Sequence, residues 1–97
     1  MSPHVLTVVS AVVAEEGRER LIAGFRELVA GPMPDGLLRT ELLQGAEGRW
    51  RIQTLWRDQE ALEAMRAGPE PPAAPALFRR VGSKPSLEIW AVADSGP

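Results

Sequence analysis

The sequence predicts an α+β domain in which a four-stranded antiparallel sheet carries helices on one face, in the order β-α-β-β-α-β. Residues 5–13 and residues 87–93 are runs of mostly apolar and β-branched side chains, which are typical of strands. Residues 37–44 and 49–57 also have strand composition, and the short glycine-containing segment between them predicts a hairpin. Helical patterns connect these strands, so the split β-α-β plan is the arrangement that the order favours.

The first helix is predicted between the first strand and a turn at residues 34–36. Glu15 and Glu16 stand at its start, where negative side chains interact favourably with the helix dipole, and Gly31-Pro32 stops it. Its apolar stripe comprises Leu21, Ile22, Phe25, Leu28 and Val29. The helix is therefore expected to bury this stripe against the sheet.

The junction Trp56-Arg57-Asp58 lies where a strand pattern stops and a second helix pattern starts. Asp58 can accept hydrogen bonds from the free N–H groups of a first helical turn, and Ala61, Leu62 and Met65 follow at helical spacing. Gly68-Pro69 ends this helix. A bulky indole at such a junction either locks the helix to the sheet or lines a pocket between them.

A short third helix is predicted after the proline-rich segment that follows the second. It carries Leu77, Phe78 and Val81, and Pro75 is tolerated in its first turn. Residues 94–97 are expected to be a loose tail, and residues 1–97 as a whole to form one domain.

Composition argues against several functional classes. A net charge of -2 and an absence of basic clusters give no reason to expect a nucleic-acid partner. Without cysteine there is no disulfide, thiolate metal site or thiol nucleophile, and the single histidine, His4, has no ligand cluster around it. No apolar run approaches the 18 or so residues of a membrane span, and no leader pattern opens the chain. The expectation is a cytoplasmic protein with no metal and no membrane partner.

The sheet of this plan has helices on one face only, which leaves the other face open. Because residues 5–13 are apolar at nearly every position, the strand is expected to be covered on both faces. Trp50 and Trp90 lie inside strand patterns and are expected to contribute core or dimer contacts. An open apolar sheet face normally marks an interaction surface, so we expect a homodimer formed through it.

The order of elements and several local motifs resemble the antibiotic biosynthesis monooxygenase (ABM) family, whose members are ferredoxin-like dimeric α+β barrels. The apolar first strand runs into the first of the matching segments. These segments are Ala14-Glu15-Glu16-Gly17, Asp35-Gly36-Leu37-Leu38, Thr54-Leu55-Trp56-Arg57-Asp58, Glu60-Ala61-Leu62-Glu63-Ala64 and Leu87-Glu88-Ile89-Trp90-Ala91-Val92. The resemblance covers nearly the whole chain and implies a small-molecule pocket between the sheet and the helices.

The resemblance implies a family of activities rather than one. Relatives include cofactor-independent oxygenases of aromatic polyketides, haem-degrading enzymes and small-molecule isomerases. Many have a histidine where this chain has Met65. Haem-degrading relatives have an asparagine, a tryptophan and a histidine at positions that fall on Ser10, Met65 and Pro75, and none of the three matches. The chain has no tyrosine to match the one that some polyketide oxygenases use.

No catalytic residue can be assigned from the sequence, but a set of candidate pocket residues can. Trp56 could stack on a planar ligand or plug the junction, and Met65 could be soft lining or plain core. The hydroxyls within the apolar strands need partners, which are either a ligand oxygen or backbone and water. The candidate substrate-pocket residues are Ser10, Phe25, Thr54, Trp56, Met65 and Phe78.

Two functional hypotheses follow from these observations. In the first, the protein is a cofactor-independent monooxygenase, an oxidoreductase acting on a small apolar and aromatic metabolite. In the second, the pocket is closed and the protein is a non-catalytic dimeric binding or structural module. A cavity beside Trp56 would favour the first, and tight packing by Met65, Phe25 and Phe78 the second.

Overall fold

The computed structural model describes residues 2–97 and confirms the α+β, ferredoxin-like order. The strands are β1 (Val5–Val12), β2 (Leu37–Gln44), β3 (Arg49–Trp56) and β4 (Ser86–Ala91). The helices are α1 (Arg18–Ala30), which follows a short 3-10 turn at Glu15–Gly17, α2 (Gln59–Arg66) and α3 (Ala73–Arg80). The third helix therefore lies where the sequence predicts it, between the proline-rich segment and the last strand.

The sheet has the strand order β2-β3-β1-β4, with every neighbouring pair antiparallel. The apolar first strand occupies a central position, between β3 and β4. Thr7 of β1 lies opposite Thr54 of β3 and opposite Ile89 of β4. This register decides which side chains of different strands share a face, since successive residues of a strand point to opposite faces.

The last strand begins and ends earlier than its composition predicts. It spans Ser86–Ala91, not residues 87–93, because its partner β1 begins at Val5, which pairs with Ala91. One further backbone hydrogen bond follows, in which Val92 N donates to the carbonyl oxygen of His4 at 2.8 Å. The apolar run at residues 87–93 therefore continues beyond the point where β1 can pair with it.

The helix-facing side of the sheet, called here the inner face, carries the core. One cluster joins α1 and α3 to the sheet through Val9, Leu21, Trp50, Ile52 and Phe78, among others. The guanidinium of Arg18 lies 5.9 Å from the centroid of the Trp50 ring. A second cluster consists of Val5, Trp56, Ala61 and Leu62, which pack α2 onto the other end of the sheet. The space between these clusters is where the candidate site lies.

None of the helices that residues 2–97 form lies on the opposite side of the sheet, called here the outer face. Trp90 is 57% exposed there and Val12 is 66% exposed, whereas Val8 is buried between its strand neighbours. Arg39 Nη2 lies 2.8 Å from Glu41 Oε1 on the same face. Large apolar side chains and charged ones thus share the outer face.

Candidate functional site

The strand-to-helix junction is fixed by short backbone contacts. Arg57 N donates to the carbonyl oxygen of Gly36 at 2.7 Å, and Asp58 Oδ1 accepts from Ala61 N at 2.8 Å, as an N-cap does. Gly36 has a φ of 85°, and a Cβ on it would collide with the Cβ of Ala61. The turn before β2 is therefore pressed against α2, which holds this helix over the end of the sheet.

Trp56, at the end of β3, combines both roles that the sequence leaves open. Its side chain is 3% exposed and packs with Val5, Ala61 and Leu62. Its indole N–H donates to Thr7 Oγ1 at 3.1 Å. The ring also lines a cavity between the sheet and the helices. The indole is thus held in one orientation by packing and by a hydrogen bond while part of its surface borders open space.

A row of threonines crosses the inner face beside this indole. Thr40 of β2 pairs with Thr54 of β3, which pairs in turn with Thr7 of β1. Thr40 Oγ1 and Thr54 Oγ1 are 2.9 Å apart, and Thr7 Oγ1 donates to the carbonyl oxygen of Thr54 at 3.5 Å. We call Thr7, Thr40 and Thr54 the threonine row, and all of its members line the cavity.

The hydrogen bonds of the row leave one hydroxyl proton unused. Each threonine hydroxyl carries a single proton, and the contact between Thr40 and Thr54 needs only one of the two. Whichever oxygen donates, the other hydroxyl keeps a proton for which residues 2–97 provide no further acceptor. The pair can therefore donate one hydrogen bond to a ligand oxygen in the cavity.

The cavity has a volume of about 310 Å³. This value is at the lower end of the range of about 300–1,000 Å³ that is typical of small-molecule sites. Much of its lining is apolar, including Val9, Leu37, Ile52, Leu62, Met65 and Ile89. Arg66 and Arg79 are the charged residues of the described lining. An apolar, planar molecule with a hydrogen-bond acceptor matches this combination of surfaces.

The structure brings together some of the predicted pocket residues and separates others. Thr54, Trp56 and Met65 line the cavity beside the threonine row. Phe78 is fully buried in the core between α1, α3 and the sheet, and Phe25 packs against that core, so neither belongs to the cavity lining. Ligand binding by the three lining residues stays a prediction.

Ser10 lies away from this cavity. Its neighbour Val9 points to the inner face, so Ser10 points to the outer one, where it borders a second, more open groove with Arg49, Arg51 and Lys84. Its carbonyl oxygen accepts from Ser86 Oγ at 3.4 Å. A hydroxyl on the outer face does not reach a ligand that contacts Trp56.

The sequence reasoning missed Thr7, Thr40, Arg66 and Arg79. For Thr40 a usable signal existed, because a hairpin closed by the loop at residues 45–48 pairs position 40 with the candidate position 54. Thr7 joins the row through the pairing of β1 with β3, which no local pattern specifies. For the arginines no sequence signal distinguishes these two from the other basic side chains.

Neither a metal cluster nor a membrane span is found in the described part of the chain. Among residues 2–97, no group of three or more His, Cys, Asp or Glu side chains is arranged to hold a metal ion. None of the helices formed by these residues has the length and apolar character to cross a membrane.

The chain matches one protein family by sequence and several solved structures by fold. The sequence model of the family described as "Antibiotic biosynthesis monooxygenase" matches residues 4–74. A variant of SnoaB, a cofactor-independent oxygenase from Streptomyces nogalater, has a similar structure, with a TM-score of 0.77, 22% identity and 99% of each chain covered. A search of curated proteins by sequence finds no match.

Other proteins of similar structure carry different functional descriptions. A putative antibiotic biosynthesis monooxygenase from Caulobacter crescentus has a TM-score of 0.75 at 18% identity, covering 96% of this chain and 92% of its own. A heme-degrading protein from Mycobacterium tuberculosis has a TM-score of 0.64 at 23% identity, with 100% of each chain covered. At these identities the likeness is one of fold.

Proposed function

This chain belongs to the antibiotic biosynthesis monooxygenase family, and from that premise we propose that it is a cofactor-independent monooxygenase acting on a small, apolar and aromatic metabolite. The observation that carries the proposal is the cavity beside Trp56, in which a fixed indole and an unused threonine hydroxyl proton border an otherwise apolar space. The likeness to SnoaB, a cofactor-independent oxygenase, supports the reaction class.

The proposed reaction takes all of its electrons from the substrate. A ring methylene conjugated with a ring carbonyl group loses a proton to solvent and becomes an anion whose charge lies largely on the carbonyl oxygen. This anion reacts with dioxygen, so that one methylene group and one dioxygen molecule give one ketone carbonyl and one water molecule. One oxygen atom enters the product and the other leaves as water, and no external reductant is required.

The protein contributes orientation and hydrogen bonding. The Trp56 ring and the apolar lining hold the planar substrate and exclude water. The free proton of the Thr40–Thr54 pair is donated to the substrate oxygen, where it stabilises the negative charge that develops. Thr7 acts indirectly, because its hydroxyl fixes the indole.

The alternative, a non-catalytic module with a closed pocket, is not favoured. That hypothesis expects Met65, Phe25 and Phe78 to fill the space beside Trp56. Phe25 and Phe78 instead belong to the neighbouring core, and the space beside the indole is open.

We also propose that two copies associate through the outer face. Leu6, Leu55 and Trp90 form an apolar row on this face, with Trp90 more than half exposed. Glu88 lies two residues before Trp90 on β4 and therefore on the same face. Arg51 lies on this face as well, opposite Ser10 and towards the other end of the sheet. A two-fold axis that lies between two such faces and parallel to them would pack them against each other and cover the apolar row of each copy.

Filling the cavity tests the proposed function. Equilibrium dialysis without oxygen measures the binding of 1,4-naphthalenediol and 9-anthrone, and an oxygen electrode then measures uptake in air. We expect saturable binding of at least one of these probes, and protein-dependent uptake with 9-anthrone, whose ring methylene is the group that the proposed reaction oxidises. Met65→Trp, which fills the cavity, should abolish both.

The matched control is Ala64→Trp, which adds the same side chain at the adjacent, exposed position of α2 outside the cavity lining. It should leave binding and uptake unchanged. Binding that survives Met65→Trp would place the ligand elsewhere and contradict the proposal.

A further inference from the structure

The cavity has an uneven charge distribution that its apolar character does not explain. Arg66 belongs to the last turn of α2 and Arg79 to the last turn of α3, yet both border the same space. No Asp or Glu occurs in the described lining. Two helices thus each contribute a cation to one cavity without a carboxylate to balance it.

Neither arginine is paired within the described chain. Among residues 2–97, no salt bridge or side-chain hydrogen bond involves Arg66 or Arg79. Glu63 precedes Arg66 on α2, but its Oε1 accepts from Gln59 Nε2 at 2.8 Å. Glu70 is exposed and lies beyond salt-bridge distance of both. Both guanidinium groups therefore remain available to a ligand.

A simpler explanation of the two cations is the helix dipole. A basic side chain in the last turn of a helix interacts favourably with the negative end of the dipole, whatever the cavity contains. Arg80 offers a direct comparison, because it shares the last turn of α3 with Arg79 but does not line the cavity. The dipole acts on both residues, whereas a cavity ligand would contact Arg79 alone.

We propose that the ligand of this cavity is an organic anion, an aromatic body bearing a carboxylate that lies against Arg66 and Arg79. The aromatic part contacts Trp56 and the apolar lining, and the carboxylate stays at the solvated edge where both arginines are exposed. The protein as a whole carries a net charge of -2, so its overall field does not attract anions and the preference is local. This inference rests on the proposed function, since it concerns the same cavity.

The test compares two ligands of nearly the same shape, 2-naphthoate and the neutral 2-naphthamide, by equilibrium dialysis at low salt. We expect the carboxylate to bind more tightly. Each of Arg66→Gln and Arg79→Gln should weaken carboxylate binding by roughly 1.4- to 5-fold, the range of exposed ion pairs, and leave amide binding unchanged. The preference should also shrink at high salt, because these charges are exposed to screening.

Arg80→Gln is the matched control and should leave the preference for the carboxylate intact. Equal affinities for the two ligands, or an Arg80→Gln effect as large as that of Arg79→Gln, would overturn the inference while leaving the cavity as a ligand site. Failure of both ligands to bind, together with failure of the neutral probes above, would remove the proposed function and this inference with it.

Discussion

The hydrogen bond between Trp56 and Thr7 offers a quantitative test of the site's construction. Trp56→Phe removes the indole N–H that donates to Thr7 Oγ1 at 3.1 Å, and Thr7→Val removes the acceptor. A hydrogen bond of this kind contributes about 0.5–1.5 kcal/mol. The smaller phenyl ring also gives up roughly two buried carbons at about 0.8 kcal/mol each. Trp56→Phe should therefore lower the free energy of unfolding by about 2–3 kcal/mol.

A double-mutant cycle separates the bond from the packing. The coupling free energy between Trp56→Phe and Thr7→Val should be about 0.5–1.5 kcal/mol, since both variants lose the same bond. Urea unfolding followed by far-UV circular dichroism is the suitable assay, because it does not depend on tryptophan fluorescence. Protomer concentration must be held fixed, since association would add to the apparent stability.

The control cycle pairs Trp56→Phe with Thr40→Val, whose hydroxyl contacts Thr54 and not the indole. Its coupling should be close to zero. A Trp56–Thr7 coupling no larger than this control would refute the claim that the hydroxyl holds the indole in place.

Three further changes probe the junction and the outer face. Asp58→Ala should cost about 1 kcal/mol of unfolding free energy by removing the cap on Ala61 N, and Asp58→Asn should restore most of it in thermal melts. Gly36→Ala should cost about 1–3 kcal/mol because it combines a φ of 85° with a collision against α2, whereas Gly96→Ala, with nothing within 4 Å, should be neutral. Trp90→Glu should shift sedimentation from dimer to monomer; a wild-type protein that is already monomeric at micromolar concentration would contradict the proposed association.

Local chemistry was sufficient to predict most of the elements. The second strand spans Leu37–Gln44 as its composition predicts, and Asp58 caps α2 as its position predicts. These features depend on residues close together in the sequence, such as turn glycines and a capping carboxylate. The end of β4 depends instead on where β1 begins, and its boundary was accordingly misplaced by composition alone.

The candidate site depends on long-range register, which a single strand does not encode. Ser10 and Thr7 are both hydroxyls in β1, but their separation is odd, so they point to opposite faces and only Thr7 meets the indole. Phe25 and Phe78 lie on apolar helix faces that could bury against either the core or the cavity. The contact between α1 and α3 turns both towards the core.

The three indole N–H groups offer the most direct test of the central claim that ligands bind beside Trp56. The tryptophans report on different places: Trp56 on the cavity, Trp50 on the core and Trp90 on the outer face. Their proton–nitrogen correlation peaks can be assigned with single Trp→Phe variants and followed during titration with 2-naphthamide. The account predicts a saturable shift that is largest for Trp56. A shift confined to Trp90, or no saturable shift at any indole under conditions where dialysis detects binding, would contradict it.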